Sequence, residues 1–150
     1  MPDHSLSQVE DRLVTILEGY VPLAGQTVKA AGSLDIAVED DDLPLLLILT
    51  SNYSFDVADE NWMTLHSADI EIEAVSATPA TGTISRTNRN TLAHVLAAIA
   101  ADRSLGIGIQ DIQEDDIATV EPRGKDVDSA SLKFRVSWFT PRNDWFTITT

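Results

Sequence analysis

Hydrophobic positions follow their most regular pattern in residues 88–105, where apolar side chains recur at helical spacing. The positions i, i+3, i+4 and i+7 of this stretch are occupied by Leu92, Val95, Leu96 and Ile99. Alanines fill much of the remainder, so the pattern predicts a helix with one apolar stripe. Asn88 or Asn90 is expected to cap its start, and Gly106 with Gly108 is expected to end it.

A second helix is predicted for residues 7–18, near the start of the chain. Ser7 and Glu10 have the spacing of a capping box, in which each side chain satisfies a backbone amide at the start of a helix. The apolar residues again form one stripe, made of Val9, Leu13, Ile16 and Leu17. Gly19 is expected to end this helix.

Three stretches are predicted to form β-strands. Residues 45–49 are a short, continuous apolar run after Pro44, which is typical of a strand buried on both faces. Residues 63–75 alternate apolar positions with three acids, so one face of this strand is expected to lie in water. Those acids are Asp69, Glu71 and Glu73. Residues 132–138 show the strongest alternation of the chain, with Leu132, Phe134, Val136 and Trp138 on one side.

The remaining stretches give weaker indications. Residues 26–30 and the acidic residues 107–120 indicate extended segments, and residues 53–62 fit either a hairpin tip or an excursion from the sheet. Together the elements predict an α+β fold, in which a mixed, mostly antiparallel sheet packs against two helices in one domain, residues 1–150. Leu96 is expected to face Phe134 in the core, so Leu96→Ala would cost about 2 to 5 kcal/mol.

Composition excludes several classes of protein. The chain of 150 residues is 43% hydrophobic and has no cysteine, so disulfides, thiolate metal sites and cysteine nucleophiles are excluded. No apolar run has the length of about 20 residues that spans a bilayer. The first ten residues lack the basic and hydrophobic regions of a signal peptide, so export and membrane association are not expected.

Charge divides the chain into two halves. The net charge is −14, of which −13 lies in residues 1–84 and −1 in residues 85–150. This balance argues against a nucleic-acid binder, because affinity for phosphate depends on clustered Lys and Arg. The acidic half has two possible roles. It either keeps the protein soluble, or it forms a surface that repels a polyanion or attracts a basic partner. The run Glu39, Asp40, Asp41 and Asp42 lacks the spacing of a calcium loop, so we expect it to be solvated or at an interface.

Candidate chemistry is sparse. His4, His66 and His94 do not have the spacing of a metal site, and the sequence has no GxSxG motif. Gly106 and Gly108 follow a predicted helix instead of opening one, which is the reverse of a dinucleotide-binding loop. We therefore expect no catalytic residue, no metal site, no cofactor and no enzymatic activity.

The order of the elements and five stretches resemble the tail terminator proteins of long-tailed bacteriophages, which are also called minor tail or tail completion proteins. The stretches are VEDRLVTIL, PLLLIL, SADIEIEAVS, the helix at residues 92–102, and SLKFRVSWFTPRNDW. The likeness covers nearly the whole chain and is one of pattern and length, without an invariant motif. It implies a fold similar to that of tail tube proteins.

The resemblance further implies a virion protein, made in the host cytoplasm and located in the tail. Such proteins form a ring, expected to be a hexamer, that caps the head-proximal end of the tail tube and stops its polymerisation. The expected partners are the tube protein and the head–tail connector, and DNA would pass through without specific binding. The alternatives are a neck or head-completion protein of the same kind of virion, and a small intracellular ligand-binding domain.

Under this resemblance, two groups of residues are candidates for the lumen or an interface. The acidic candidates are Glu39, Asp40, Asp41, Asp42, Asp69, Glu71 and Glu73. The aromatic candidates are Trp145 and Phe146, because a terminal segment this apolar is expected either to pack back onto the fold or to meet a partner.

Overall fold

The fold is a five-stranded β-sheet with two helices on one of its faces. The computed structural model describes residues 3–31, 43–58, 62–77, 86–119 and 128–149. In chain order its elements are α1 (Ser5–Gly19), a 3₁₀ helix (Val21–Leu23), β1 (Thr27–Ala31), β2 (Leu45–Ala58), β3 (Met63–Ser76), α2 (Arg86–Ala101), β4 (Asp111–Thr119) and β5 (Asp128–Pro141).

The strands lie in the order β1-β2-β3-β5-β4. Among the described strands, the β1/β2 pair is parallel and the other three pairs are antiparallel. The predicted α+β class, with a mixed, mostly antiparallel sheet and two helices, is therefore confirmed. Tyr53 belongs to β2, which pairs with β3 as far as Ala58 and Met63, so residues 53–58 extend a strand of the sheet.

The main core lies between the helices and one face of the sheet, which we call the inner face. Alternation along β3 and β5 brings their apolar side chains to this face, where α1 and α2 cover them. Its largest buried members include Leu13, Leu17, Ile70, Ile72, Leu92, Ile99, Phe134 and Trp138. Burial of each such side chain is worth roughly 1.5 to 3 kcal/mol, so this layer supplies much of the stability.

The opposite face of the sheet, which we call the outer face, carries a smaller apolar cluster. Its buried members are Leu45, Leu47, Leu49 and Val75. Leu46 and Ile48 point to the inner face, so the run at the start of β2 is buried on both sides. The prediction for residues 45–49 is confirmed.

The start of α1 differs from the prediction. The helix begins at Ser5, and His4 is its N-cap, with Nδ1 accepting from the backbone N–H of Leu6 at 3.1 Å. The Ser7 and Glu10 capping box is therefore wrong. Glu10 instead accepts a hydrogen bond of 3.2 Å from the Thr50 hydroxyl, because a position inside the helix directs its side chain to the sheet.

The bounds of α2 also differ from the prediction. The helix begins at Arg86, so Asn88 lies inside it with 1% exposure and neither Asn88 nor Asn90 caps it. It ends at Ala101 because the Asp102 carboxylate accepts from the N–H and the hydroxyl of Ser104, which stabilises a turn.

The turn after α2 needs glycine at Gly106. Its φ is +70°, and a Cβ built there would lie 2.9 Å from Arg12 Nη2. The Arg12 guanidinium occupies this place because its Nε donates to the Leu105 carbonyl at 2.6 Å. The predicted glycine at this turn is confirmed, although the helix ends four residues earlier than expected.

Candidate functional site

The acids predicted on β3 lie on the outer face, where bases of β5 accompany them. Asp69 Oδ1 lies 2.8 Å from Arg135 Nη1, and Asp69 Oδ2 accepts from Asn52 Nδ2 at 2.9 Å. These hydrogen bonds, first that from Asn52, and the Arg135 charge lower the pKa of Asp69. The side chains of the ion pair are 40% and 42% exposed, so the pair contributes little stability.

The other two acids of β3 have different surroundings. Glu71 lies opposite Lys133 of β5 in the strand register. Glu73 lies between Leu47 and Ser131 and is only 1% exposed. The expectation that this whole face lies in water is wrong for Glu73, because the outer face is apolar at this end.

A polar groove crosses the outer face between β2 and β4. It is lined by Ser51, Asn52, Asp69, Gln113, Lys133 and Arg135, among others. A carboxylate with a lowered pKa, such as Asp69, stays ionised at neutral pH and is a poor general acid. The run Glu39, Asp40, Asp41 and Asp42 lies outside the described residues.

A cluster of aromatic rings lies on the inner face, where both ends of the chain meet the sheet. We call His4, Tyr53, His66, Trp138 and Trp145 the aromatic cluster. His66 stacks on Trp138 with ring centroids 5.4 Å apart and an interplanar angle of 5°. Trp145 meets His66 edge-on at 5.4 Å, and His4 lies 6.2 Å from His66. The cluster joins the first helix, the long strands and the C-terminal segment.

His66 is fully buried at the centre of the aromatic cluster. Its Nδ1 lies 2.7 Å from the Tyr53 hydroxyl, and its Nε2 lies 2.8 Å from Thr140 Oγ1. The Thr140 hydroxyl donates to the Pro141 carbonyl, so Nε2 carries the proton of a neutral ring and Nδ1 accepts from Tyr53. Burial first, and then the nearby His4, lower the pKa of His66 to about 4.

The two aromatic residues of the C-terminal segment differ in their packing. Trp145 packs on Phe55 with ring centroids 4.5 Å apart, and its carbonyl accepts from the Ser5 N–H at 2.9 Å. Phe146 is 44% exposed, although its carbonyl accepts from Gln8 Nε2 at 2.5 Å. Of the two expected outcomes for this segment, packing back onto the fold is therefore observed for Trp145.

Neither metal binding nor proton transfer is favoured by the geometry of the part of the chain that is described. No three His, Asp or Glu side chains within it gather closely enough to hold a metal ion. Both ring nitrogens of His66 are in hydrogen bonds, and the ring has no access to solvent. It therefore cannot exchange a proton with a substrate unless the fold opens. No described helix is long and apolar enough to cross a membrane.

The aromatic cluster was not foreseen from the sequence, which showed three isolated histidines. The sequence did contain one indication for His66. It lies at every-second-residue spacing from the apolar residues Ala68, Ile70 and Ile72 of β3. In a strand this spacing places it on the apolar face. The approach of His4 and Trp145 had no such signal, because it depends on contacts between the two ends of the chain.

Comparison with known proteins identifies a similar fold. No family model matches the sequence, and no curated protein matches it. Among solved structures, a chain of the virion of a native gene transfer agent particle is similar, with a TM-score of 0.50 and 15% sequence identity. The match covers 86% of this chain and 92% of that chain. At this identity the likeness establishes the α+β fold, and it extends over nearly the whole of both chains.

Proposed function

We propose that this chain is a structural protein of a phage-like virion, which caps the head-proximal end of a tail tube, stops its polymerisation and joins the tail to the head connector. The likeness to a chain of the gene transfer agent virion carries the proposal, since it extends over 86% of one chain and 92% of the other.

The proposed working form is a homo-oligomeric ring, with six copies as the expected number. Its partners would be the tube protein on one side and the head–tail connector on the other. DNA would pass through the ring, and the net charge of −14 supports this because a negative surface repels phosphate. The protein would reach the virion tail after synthesis in the host cytoplasm.

The proposal includes no enzymatic activity and no cofactor. It is supported by the engaged nitrogens of His66 and by the partly exposed, ionised Asp69, neither of which is arranged for catalysis. Screening the purified protein against common hydrolase and transferase substrates tests this part. Turnover that is lost on changing His66 or His94 alone would contradict it.

The ring and the cap are tested by two separate measurements. Light scattering coupled to size exclusion, with negative-stain images, should show a closed ring of about six copies. Added to polymerising tube protein, the purified ring should bind one end and arrest growth. A persistent monomer contradicts the ring, whereas a ring that leaves tube length unchanged contradicts the cap. Cryo-electron images of the particle would show a ring at the neck if the protein completes the head instead.

A further inference from the structure

One side of β2 has no strand partner along the second part of its length, because β1 pairs with only the first part of β2. The register of β1 runs from Leu45 to Leu49, and β2 continues to Ala58 with β3 on its other side. Beyond Leu49, no described strand pairs with β2 on the β1 side. Ser54, Phe55 and Asp56 are exposed, and among the described residues the backbone at this edge has no strand partner, so it can pair with a further strand.

The β2 edge differs from the two outer edges of the sheet. The edge strand β4 carries Asp111 and Glu114 and has a bulge after Glu114, features that oppose pairing with another strand. The edge strand β1 has five residues and an exposed Lys29. On β2, by contrast, the register shift lies before Ser54, and the pairing from Ser54 to Ala58 is regular and includes Phe55, which is 51% exposed.

Side chains at the β2 edge alternate between two surfaces. Phe55 lies opposite His66 and therefore on the inner face, where its ring contacts Trp145 at 4.5 Å between centroids. Asp56 lies opposite Leu65, on the outer face. A strand added along this edge would therefore meet an aromatic surface on one face and a carboxylate on the other.

We propose that residues 54–58 of β2 form a docking site for an extended segment of a partner protein in which apolar and basic residues alternate. The open backbone supplies hydrogen bonds for strand addition, and the Phe55 and Trp145 rings receive the apolar side chains. Asp56 and the net charge of −14 select basic residues on the other face. This inference goes beyond the proposed function and does not depend on ring formation.

Peptide binding to the full chain tests the site. The probe is a peptide of roughly eight residues in which valine and lysine alternate, which is long enough for a typical strand. Hydrogen exchange of individual amides should show new protection in residues 54–58. A valine–glutamate peptide should not bind, and a peptide with the same lysines but proline in place of alternate valines should not protect these amides, because proline cannot complete a strand ladder.

The affinities of two variants and of a matched control show which side chains contact the peptide. Phe55→Ser and Asp56→Lys should each weaken binding of the valine–lysine peptide by about tenfold or more, since each removes one of the two side-chain contacts. Val21→Ser is the control, because Val21 is 82% exposed and lies in the 3₁₀ helix, outside β2. It should bind the peptide with unchanged affinity.

Several results would overturn the inference. Equal binding of the lysine and proline-containing peptides would show a general attraction to an acidic protein. Unchanged affinity of both variants would place the peptide elsewhere. Protection of residues 54–58 that rises with concentration of the protein alone would assign the edge to a second copy. Strong protection at every concentration would assign it to a segment of the same chain.

Discussion

At the scale of single residues, His66 shows how the fold holds a base in its neutral form. The ring is enclosed by Trp138 and Trp145, and both nitrogens have hydrogen-bond partners that suit one neutral tautomer. A proton added to Nδ1 would remove its ability to accept from Tyr53 and would place a charge beside His4. Burial therefore lowers the pKa of His66 to about 4 from 6.5.

This shift predicts a loss of stability in mild acid. Because the pKa of His66 is lower in the folded state, its contribution is complete above pH 6.5 and is lost as the pH falls towards 4. Between pH 7 and pH 4 the free energy of unfolding should fall by about 3 kcal/mol more in the wild type than in His66→Gln. Urea denaturation across this range measures the difference, and parallel curves for the two proteins would contradict the prediction.

The upper part of that pH range separates the titration of His66 from that of four carboxylates whose pKa is lowered. The pKa values of Asp69, Asp102, Glu114 and Asp144 are lowered, so their stabilisation is lost only below about pH 4. The ring resonances of His66 should also stay in their neutral positions at about pH 5.5, where a free imidazole is mostly protonated. A fully charged His66 at that pH would contradict the burial.

At the scale of elements, α2 shows how a sequence stripe becomes a packed face. Leu92, Val95 and Ile99 are buried, whereas Leu96 is only half-buried and packs at the margin of the core that contains Phe134. The expectation that Leu96 lies inside the core opposite Phe134 is therefore wrong in its position, because Leu96 packs at the edge of that core. The buried face is completed by Ala98, which lies on the side of α2 next to Arg12, Thr15 and Ile16 of α1.

The two leucines of α2 provide a matched test of this face. Leu92→Ala should lower the free energy of unfolding by about 2 to 5 kcal/mol, because it leaves a cavity in the core. Leu96→Ala should cost about 1 kcal/mol, since part of its side chain already contacts solvent. Chemical denaturation of both variants gives the comparison. Equal losses would show that Leu96 is as well packed as Leu92.

At the scale of the whole molecule, the two ends of the chain are held together on the sheet. The Ser5 N–H donates to the Trp145 carbonyl, and the Thr149 N–H donates to the Phe139 carbonyl at 2.8 Å. Trp145 then covers His66 from outside the sheet. The C-terminal segment therefore belongs to the folded unit, and its loss would expose the aromatic cluster.

Two neighbouring residues of the C-terminal segment test this arrangement. Trp145→Ala should cost roughly 2 kcal/mol, about half of the loss typical of a fully buried tryptophan. Phe146→Ala should change stability by less than about 0.5 kcal/mol, because a surface substitution away from packing has little effect. Thermal and urea denaturation measure both. A larger loss for Phe146 than for Trp145 would reverse the assignment of the packed ring.

The acidic half of the chain is tested at the scale of the assembly. Asp69 is paired with Arg135 and Glu71 lies opposite Lys133, so the β3 face combines both signs of charge. The sequence predicts that Asp40, Asp41 and Asp42 are solvated, and solvated charges contribute little to stability, so replacing all three with Lys should leave folding and ring formation intact. If these acids line the channel, genome ejection from particles that carry the variant should slow. Normal ejection would remove them from the lumen proposal.

The sequence by itself determined the fold class, the two helices and the main strands. Periodicity carries this information, because apolar side chains at 3.6-residue or two-residue spacing must share one buried face. Thus β5 and the apolar face of β3 are formed by the residues whose alternation predicts them. Gly106 occupies a position where the backbone is left-handed. Local chemistry was sufficient at these positions.

Only the tertiary structure decided the ends of the helices and the contents of the aromatic cluster. His4 caps α1, and the Ser5 backbone meets Trp145, because the C-terminal segment returns to the start of the first helix. Glu73 is buried because leucines of β2 surround its position, which a pattern within β3 alone does not show. These outcomes depend on pairs of residues far apart in the chain, so they follow from how the strands are ordered and not from any local spacing.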